Sequence, residues 1–229
     1  ADALSASLER LDQGYDGIAA VALDHPKVRA AINGLSEKGV PVVTLVSDVP
    51  SSARAHYVGI DNSAAGRTAA TLLGRYLSGR RGKVGVVAGS LALRDHAERH
   101  FGFQQVMAGD YPEITLLPVQ EGRDNASRSA DIASALLSQH PDLIGLYNVG
   151  AGTEGIVTAL QGLGRARDVV FVAHELTDQT RKAVIDGVID VLIGQDAGHE
   201  VRSALRVLMA KCDKVPIIGA QERISIDIF

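Results

Sequence analysis

Five polar residues recur in one position of the sequence, directly after an apolar run or at the start of the segment that follows it: Asp48, Arg99, Asn148, Glu175 and Gln195. Carboxylates accept hydrogen bonds from paired hydroxyls, arginine donates through a planar fork, and amides do both. Together these groups can replace water around a polyol or sugar. Loops are polar in general, but repetition of this chemistry after run upon run points to recognition of a small polar molecule. The stretch VGVVAGSLALRDHAERHFGF, residues 84–103, sets the pattern. Its first six residues read as a strand buried on both faces, and Ser90, Arg94 and Arg99 follow beyond its carboxyl end, where open α/β sheets bind ligands.

Other chemistries are weaker. Gly150, Gly152 and Gly155 satisfy GxGxxG between a strand and a helix, and Glu175 stands about 20 residues on, as a ribose-binding acid would in a dinucleotide site. That pattern supports an NAD-dependent oxidoreductase as an enzymatic alternative. Against it, Asn148 and Val149 separate the strand from the first glycine, and the unit lies deep in the chain. His96 and His100, with Glu98 nearby, could place two metal ligands on one helical face. No third ligand is identifiable, and solvent-exposed histidines account for the pair. Ser90 follows Gly89 without a GxSxG elbow, and no nucleophile stands with a base. The reading is therefore a binder and not an enzyme, with no cofactor and no metal.

The elements that must position these residues alternate strand and helix. Apolar runs at 18–23, 42–46, 57–60, 84–89, 114–119, 143–148, 169–172, 191–193 and 224–228 read as strands. Between them lie helical stripes such as Val28, Ala31, Ile32 and Leu35, or Ala65, Ala69, Leu72, Leu73 and Tyr76. Repeated units of this length predict parallel sheets with right-handed crossovers. A chain of 229 residues allows one large α/β unit or two lobes. The net charge of −4, without a long run of one sign, gives no footprint for nucleic acid or membrane. Cys212 is the single cysteine and excludes an internal disulfide. No apolar run approaches the length of a membrane span, and the first residues lack signal-peptide character.

Taken together, VVTLVSD, VGIDNSAAGRTAATLL, the VAGS…RxxGF stretch, QHPDLIGLYN, VVFVAHELT and the GQD at Gln195 resemble the type I periplasmic sugar-binding fold, over essentially the whole chain. More closely, the chain looks like the effector-binding region of LacI-type transcription regulators. That resemblance implies an α/β fold of two lobes, each a mostly parallel sheet flanked by helices. Residues 1–61 and 196–215 would form an N-terminal lobe incomplete at its start, and residues 62–195 and 216–229 a C-terminal lobe. It also implies ligand contacts from Asp48, Ser90, Arg94, Arg99, Asn148, Glu175 and Gln195, in a cleft that closes on the ligand, with Glu175 where the family usually has aspartate. Where sugar binders often place an aromatic, this chain carries Gln120, Glu121, Arg123 and Asp124. The ending GAQERISIDIF and the YNVGAGTEG loop favour a cytoplasmic regulator over the alternative, the periplasmic sugar-binding protein of an ABC transporter. The regulator would bind DNA only through a helix-turn-helix outside this chain. It would pair as a homodimer through the apolar faces of residues 65–77 or 28–35. Arg99, Glu175 and Gln195 would carry most of the affinity, and replacing Arg99 or Glu175 would leave ligand-free stability nearly unchanged.

Overall fold

The structure, a computed structural model, describes residues 1–11 and 14–229. In chain order its elements are α1 (Asp2–Glu9), β1 (Ile18–Ala20), α2 (Pro26–Glu37), β2 (Val42–Leu45), β3 (His56–Val58), α3 (Asn62–Tyr76), β4 (Gly82–Ala88), α4 (Arg94–Asp110), β5 (Ile114–Leu116) and β6 (Gln120–Glu121). There follow α5 (Ala126–Gln139), β7 (Leu143–Asn148), α6 (Thr153–Gly162), β8 (Val170–His174), α7 (Asp178–Ile185), β9 (Val191–Gly194), α8 (Ala197–Cys212), a 3-10 turn at Gly219–Glu222 and β10 (Asp227–Ile228). The chain groups into two compact units. The first holds Ala1–Ile60, Ala92–Asp95 and Gln195–Ser225, and the second Asp61–Leu91, His96–Gly194 and Ile226–Phe229.

In the first unit β1, β2 and β3 form a parallel sheet in that order. Pro26 opens α2 with φ already fixed for a helix, and the His25 ring accepts the Lys27 N–H at 3.2 Å. Val28, Ala31, Ile32 and Leu35 then bury the stripe read from their spacing, against Leu8, Ile18, Val42 and Val49.

The second unit is built on a seven-stranded sheet, β10-β9-β8-β7-β4-β5, with β6 also paired to β4. Among the described strands of this sheet, β10 alone runs antiparallel. All six residues of β7 are buried, as expected for a parallel strand covered on both faces. Helix entries are set by short polar side chains that accept orphan amides: Asp61 from Ala64 N–H at 2.8 Å, Asn125 from Arg128 N–H at 3.0 Å, and Thr177 in a reciprocal box with Thr180. The strand expected at 114–119 is shorter, with β5 ending at Leu116, and β6 begins beyond the expected range at Gln120. Pro118 has no N–H for the ladder, so the chain pairs with the start of β4 as β5 and rejoins its end as β6.

Helices α5 and α6 approach closely because Gly155 has no side chain. A Cβ there would fall on the Ala126 carbonyl oxygen. Gly66 of α3 is excluded from carrying a Cβ in the same way by the carbonyl of Arg99 on α4.

Candidate functional site

Three strand-end residues of the second unit come together. Arg99, on α4, is 2% exposed. Its Nε donates to Asn62 Oδ1 at 2.7 Å and its Nη1 to the Val149 carbonyl at 3.1 Å, while Nη1 lies 3.8 Å from Glu175 Oε1. Its Nη2 is buried and has no hydrogen-bond partner among the described residues. Asn148, the last residue of β7, is fully buried; its Nδ2 donates to the Gly150 carbonyl at 2.9 Å and to Thr153 Oγ1 at 2.8 Å. With three acceptors, including the Ala151 carbonyl, around Nδ2, the amide orientation is settled by its surroundings. Its Oδ1 is a second buried atom without a hydrogen-bond partner among the described residues.

Glu175 follows β8 in the left-handed region, with φ of 70°. A residue with a Cβ occupies that region at a cost and only when its surroundings hold it there. Here the Glu175 N–H donates to the Ile193 carbonyl at 2.9 Å and its carbonyl accepts from Thr180 Oγ1 at 2.8 Å. The side chain stays 40% exposed.

Beside Glu175 lies a cavity of about 270 Å³, lined in part by Asp124, Gly152, Thr153, Glu154 and His174. The last of these is 1% exposed, and its Nε2 is 2.8 Å from the hydroxyl of Tyr147, which stacks on Phe103 with ring centroids 4.4 Å apart. Burial, followed by the Arg99 cation and His96, holds the His174 imidazole well below the ordinary histidine range, so it is neutral. Burial also pushes the Tyr147 phenol upward, partly opposed by Arg99, so the hydroxyl keeps its proton.

The remaining predicted residues are placed differently. Ser90 donates its N–H to His96 Nδ1 at 3.1 Å, and the next amide, Leu91 N–H, donates to Glu121 Oε1 at 2.7 Å. In the first unit Asp48 accepts from Thr44 Oγ1 at 2.7 Å, from Val49 N–H at 2.8 Å, and from both Nε and Nη2 of Arg54. Its carboxylate is thereby engaged by its own loop. Arg94 lies 3.7 Å from Asp24, which also takes Arg29 at 2.8 Å. Gln195 follows β9 and is half-buried.

Several expectations are corrected. His96 is not solvent-exposed but 5% exposed, because its Nδ1 accepts the Ser90 amide. Among the described residues no group of three or more histidines, cysteines or carboxylates is placed to hold a metal. The glycines of GxGxxG answer to packing instead of a pyrophosphate. Gly155 admits Ala126, and Gly150 lies against Asp124 and His96. Asp124 Oδ1 accepts the Ala151 N–H at 2.9 Å, which puts a negative charge on the loop amide a phosphate would need. Of the apolar faces expected to pair two copies, Val28, Ala31, Ile32 and Leu35, like Ala65, Ala69 and Leu73, are buried within their units, while Leu72 is half-buried and Tyr76 is 56% exposed. Sequence reasoning missed Asn62 and His174, and noted Asp124 only as a departure from the family's aromatic position. Of the two missed, only His174 left a trace, as a polar residue closing a buried run in VVFVAH.

The architecture, parallel α/β units with polar strand ends, is the type I periplasmic-binding-protein fold. Residues 5–214 match the family described as periplasmic binding protein domain, and the chain belongs to that family. It is 29% identical over 163 residues to the D-ribose/D-allose-binding protein of Pseudomonas aeruginosa, covering 66% of this chain and 48% of that protein. It is 27% identical over 179 residues to the ribose import binding protein of Escherichia coli (strain K12), covering 75% of this chain and 57% of that protein. The chain thus spans about half the length of the curated relatives it matches. Among solved structures, an ABC transporter solute-binding protein from Burkholderia graminis C4D1M in complex with D-arabinose superposes with a TM-score of 0.90 at 25% identity, over 97% of this chain and 79% of the other.

These relatives overturn the expected LacI-type regulator, because they are sugar-binding and import proteins and not transcription factors. The two features that favoured a regulator have local explanations. In the ending, Glu222 pairs with Arg206 at 2.8 Å and Ile224 is buried. The glycine-rich loop is what lets α6 approach α5.

Proposed function

We propose that this chain is the ligand-binding part of an ABC transporter's sugar-binding protein, and that it holds its ligand without converting it. The observation that carries the reading is the pair of buried atoms Arg99 Nη2 and Asn148 Oδ1, a donor and an acceptor that the fold leaves unmatched. Buried polar atoms of this kind are ordinarily paired. A sugar hydroxyl accepts from a guanidinium and donates to an amide oxygen, so a polyol supplies both missing partners. Glu175 adds a carboxylate for a second hydroxyl. Asp48, Ser90, Arg94 and Gln195 are proposed contacts of lesser weight, Asp48 least, because Arg54 already holds its carboxylate. The cytoplasmic location expected for a regulator is withdrawn with the regulator; a transporter's binding protein works outside the cytoplasmic membrane.

The test is a thermal-shift and calorimetric screen of D-ribose, D-allose, D-arabinose and D-xylose, chosen because similar proteins are named for such sugars. A ligand at 100 times its Kd stabilises by about 2.7 kcal/mol, which at roughly 2–4 °C per kcal/mol for a chain of this size is a rise of about 5–10 °C in Tm. Binding should be lost in Arg99→Ala, and incubation with the bound sugar should return it unchanged. No shift with any sugar, or turnover of the one that binds, would sink the proposal.

A further inference from the structure

Resting on the sugar-binding reading, we propose that His174 is a specificity-determining ligand contact. Tyr147 holds it as the Nδ1–H tautomer, so that it offers a hydrogen-bond donor to the cavity beside the Glu175 carboxylate.

The argument starts from the Tyr147 hydroxyl, which is fully buried and has His174 Nε2 as its hydrogen-bond partner at 2.8 Å. A buried hydroxyl proton left unmade costs more than a made bond returns. The hydroxyl therefore donates to Nε2, and Nε2 is the ring's acceptor. A neutral imidazole carries one proton, which must then sit on Nδ1. The ring stays neutral because it is buried and because Arg99 and His96, the cationic or titratable groups acting on it, disfavour a second positive charge. Phe103, stacked on Tyr147, fixes the phenol that fixes the histidine.

The cavity gives that donor a purpose. Its charged lining groups Asp124, Glu154 and Glu175 are acceptors. Of its three threonine hydroxyls, Thr180 donates to the Glu175 carbonyl and Thr177 accepts from the Thr180 N–H, while Thr153 accepts from Asn148 and keeps its own proton. A hydroxyl that accepts from His174 Nδ1–H while donating to Glu175 is read in both capacities by adjacent residues. A ligand lacking that hydroxyl leaves the buried His174 Nδ1–H without an acceptor, the arrangement that gives strong discrimination.

The experiment has two arms. Long-range proton–nitrogen correlation spectra of protein labelled in its histidine rings should show His174 with a protonated Nδ1 and bare Nε2 at pH 7. Tyr147→Phe should blur that preference. In calorimetry with whichever of D-ribose, D-allose or D-arabinose binds tightest, His174→Phe should lower affinity at least tenfold. His174→Asn, whose amide places an N–H near the Nδ1 position, should recover most of it. A protonated Nε2, or full affinity in His174→Phe, would overturn the inference while leaving the sugar-binding reading intact. If the unaltered protein bound none of the three sugars, that reading would fall and this inference with it. Should His174→Phe not fold, the tautomer spectrum and the affinity of Tyr147→Phe still decide.

Discussion

Replacing one glycine by alanine should have opposite effects at three helical positions, and the difference isolates what the α5–α6 contact demands. In a helix interior alanine is favoured over glycine by about 0.8–1 kcal/mol, so with open space around the new methyl the exchange stabilises. Gly34 of α2 has no atom within 4 Å of an added Cβ, and neither has Gly162 at the end of α6. Gly34→Ala should therefore gain about 0.5–1 kcal/mol, and Gly162→Ala, at a helix end, somewhat less. At Gly155 the added Cβ would overlap the Ala126 carbonyl oxygen and lie 3.0 Å from Ala130 N. Both obstacles are backbone, which cannot swing aside as a side chain does, so α5 and α6 must separate. Separation loosens contacts across a core holding Ile132, Ala133, Leu136, Ile156 and Leu160. Overpacking costs roughly 1–3 kcal/mol and more when backbone must move. At the upper end of that range, since backbone must move, and set against the propensity gain, the net loss is about 1–2 kcal/mol, or a fall of roughly 2–8 °C in Tm. Urea melts of the three variants without ligand measure this directly. A Gly155→Ala protein as stable as the parent would show that the helices do not pack through this glycine, and would reopen the reading of GxGxxG as a phosphate loop.

Four further outcomes follow from named groups. Arg99→Ala should lower ligand-free Tm by several degrees, contrary to the expectation from sequence, because it strips the donors from buried Asn62 Oδ1 and the Val149 carbonyl; in calorimetry it should also cost about 2–5 kcal/mol of sugar affinity. Glu175→Gly should lower ligand-free Tm, because losing the carboxylate beside buried Arg99 outweighs the relief of a left-handed φ of 70°, and it should abolish the sugar-induced shift. Burial holds His174, His56 and His100 below the usual histidine range, so the unfolded chain takes up protons first as pH falls. Stability is then complete above about pH 6.5 and declines as pH drops below it, and His174→Phe should flatten part of that decline in denaturant midpoints measured from pH 7 to 5. The Arg206 hydrogen bond holds the Glu222 carboxyl below its ordinary range, so its contribution is present above about pH 4.3 and lost as pH falls through the lowered value; the gap between the parent and Glu222→Gln should close below that point.

The α/β class was legible in the sequence because it rests on periodicity and local punctuation, whereas the two lobes came from the family resemblance. Stripes such as Val28, Ala31, Ile32 and Leu35 and caps such as Asp61 and Asn125 are decided by neighbours three or four residues away, which the sequence displays. The positions of Arg99, Asn148 and Glu175 at strand ends could be read for the same reason. Their surroundings could not. Whether Arg99 faces solvent or is buried beneath Asn62 and Val149 depends on residues 37 and 50 positions away in the chain. That the Asp48 carboxylate is engaged by Arg54 across its own loop could not be read from its place after a strand. His96 looked like a surface residue until the Ser90 amide was found on its ring. The choice between regulator and transport protein was misread because the two share one fold, and a fold does not specify function. Sequence alone determined which segments are strands and helices and which polar residues follow them. Tertiary structure decided which of those polar groups the fold itself satisfies, because hydrogen bonds between distant segments depend on packing that no local pattern encodes.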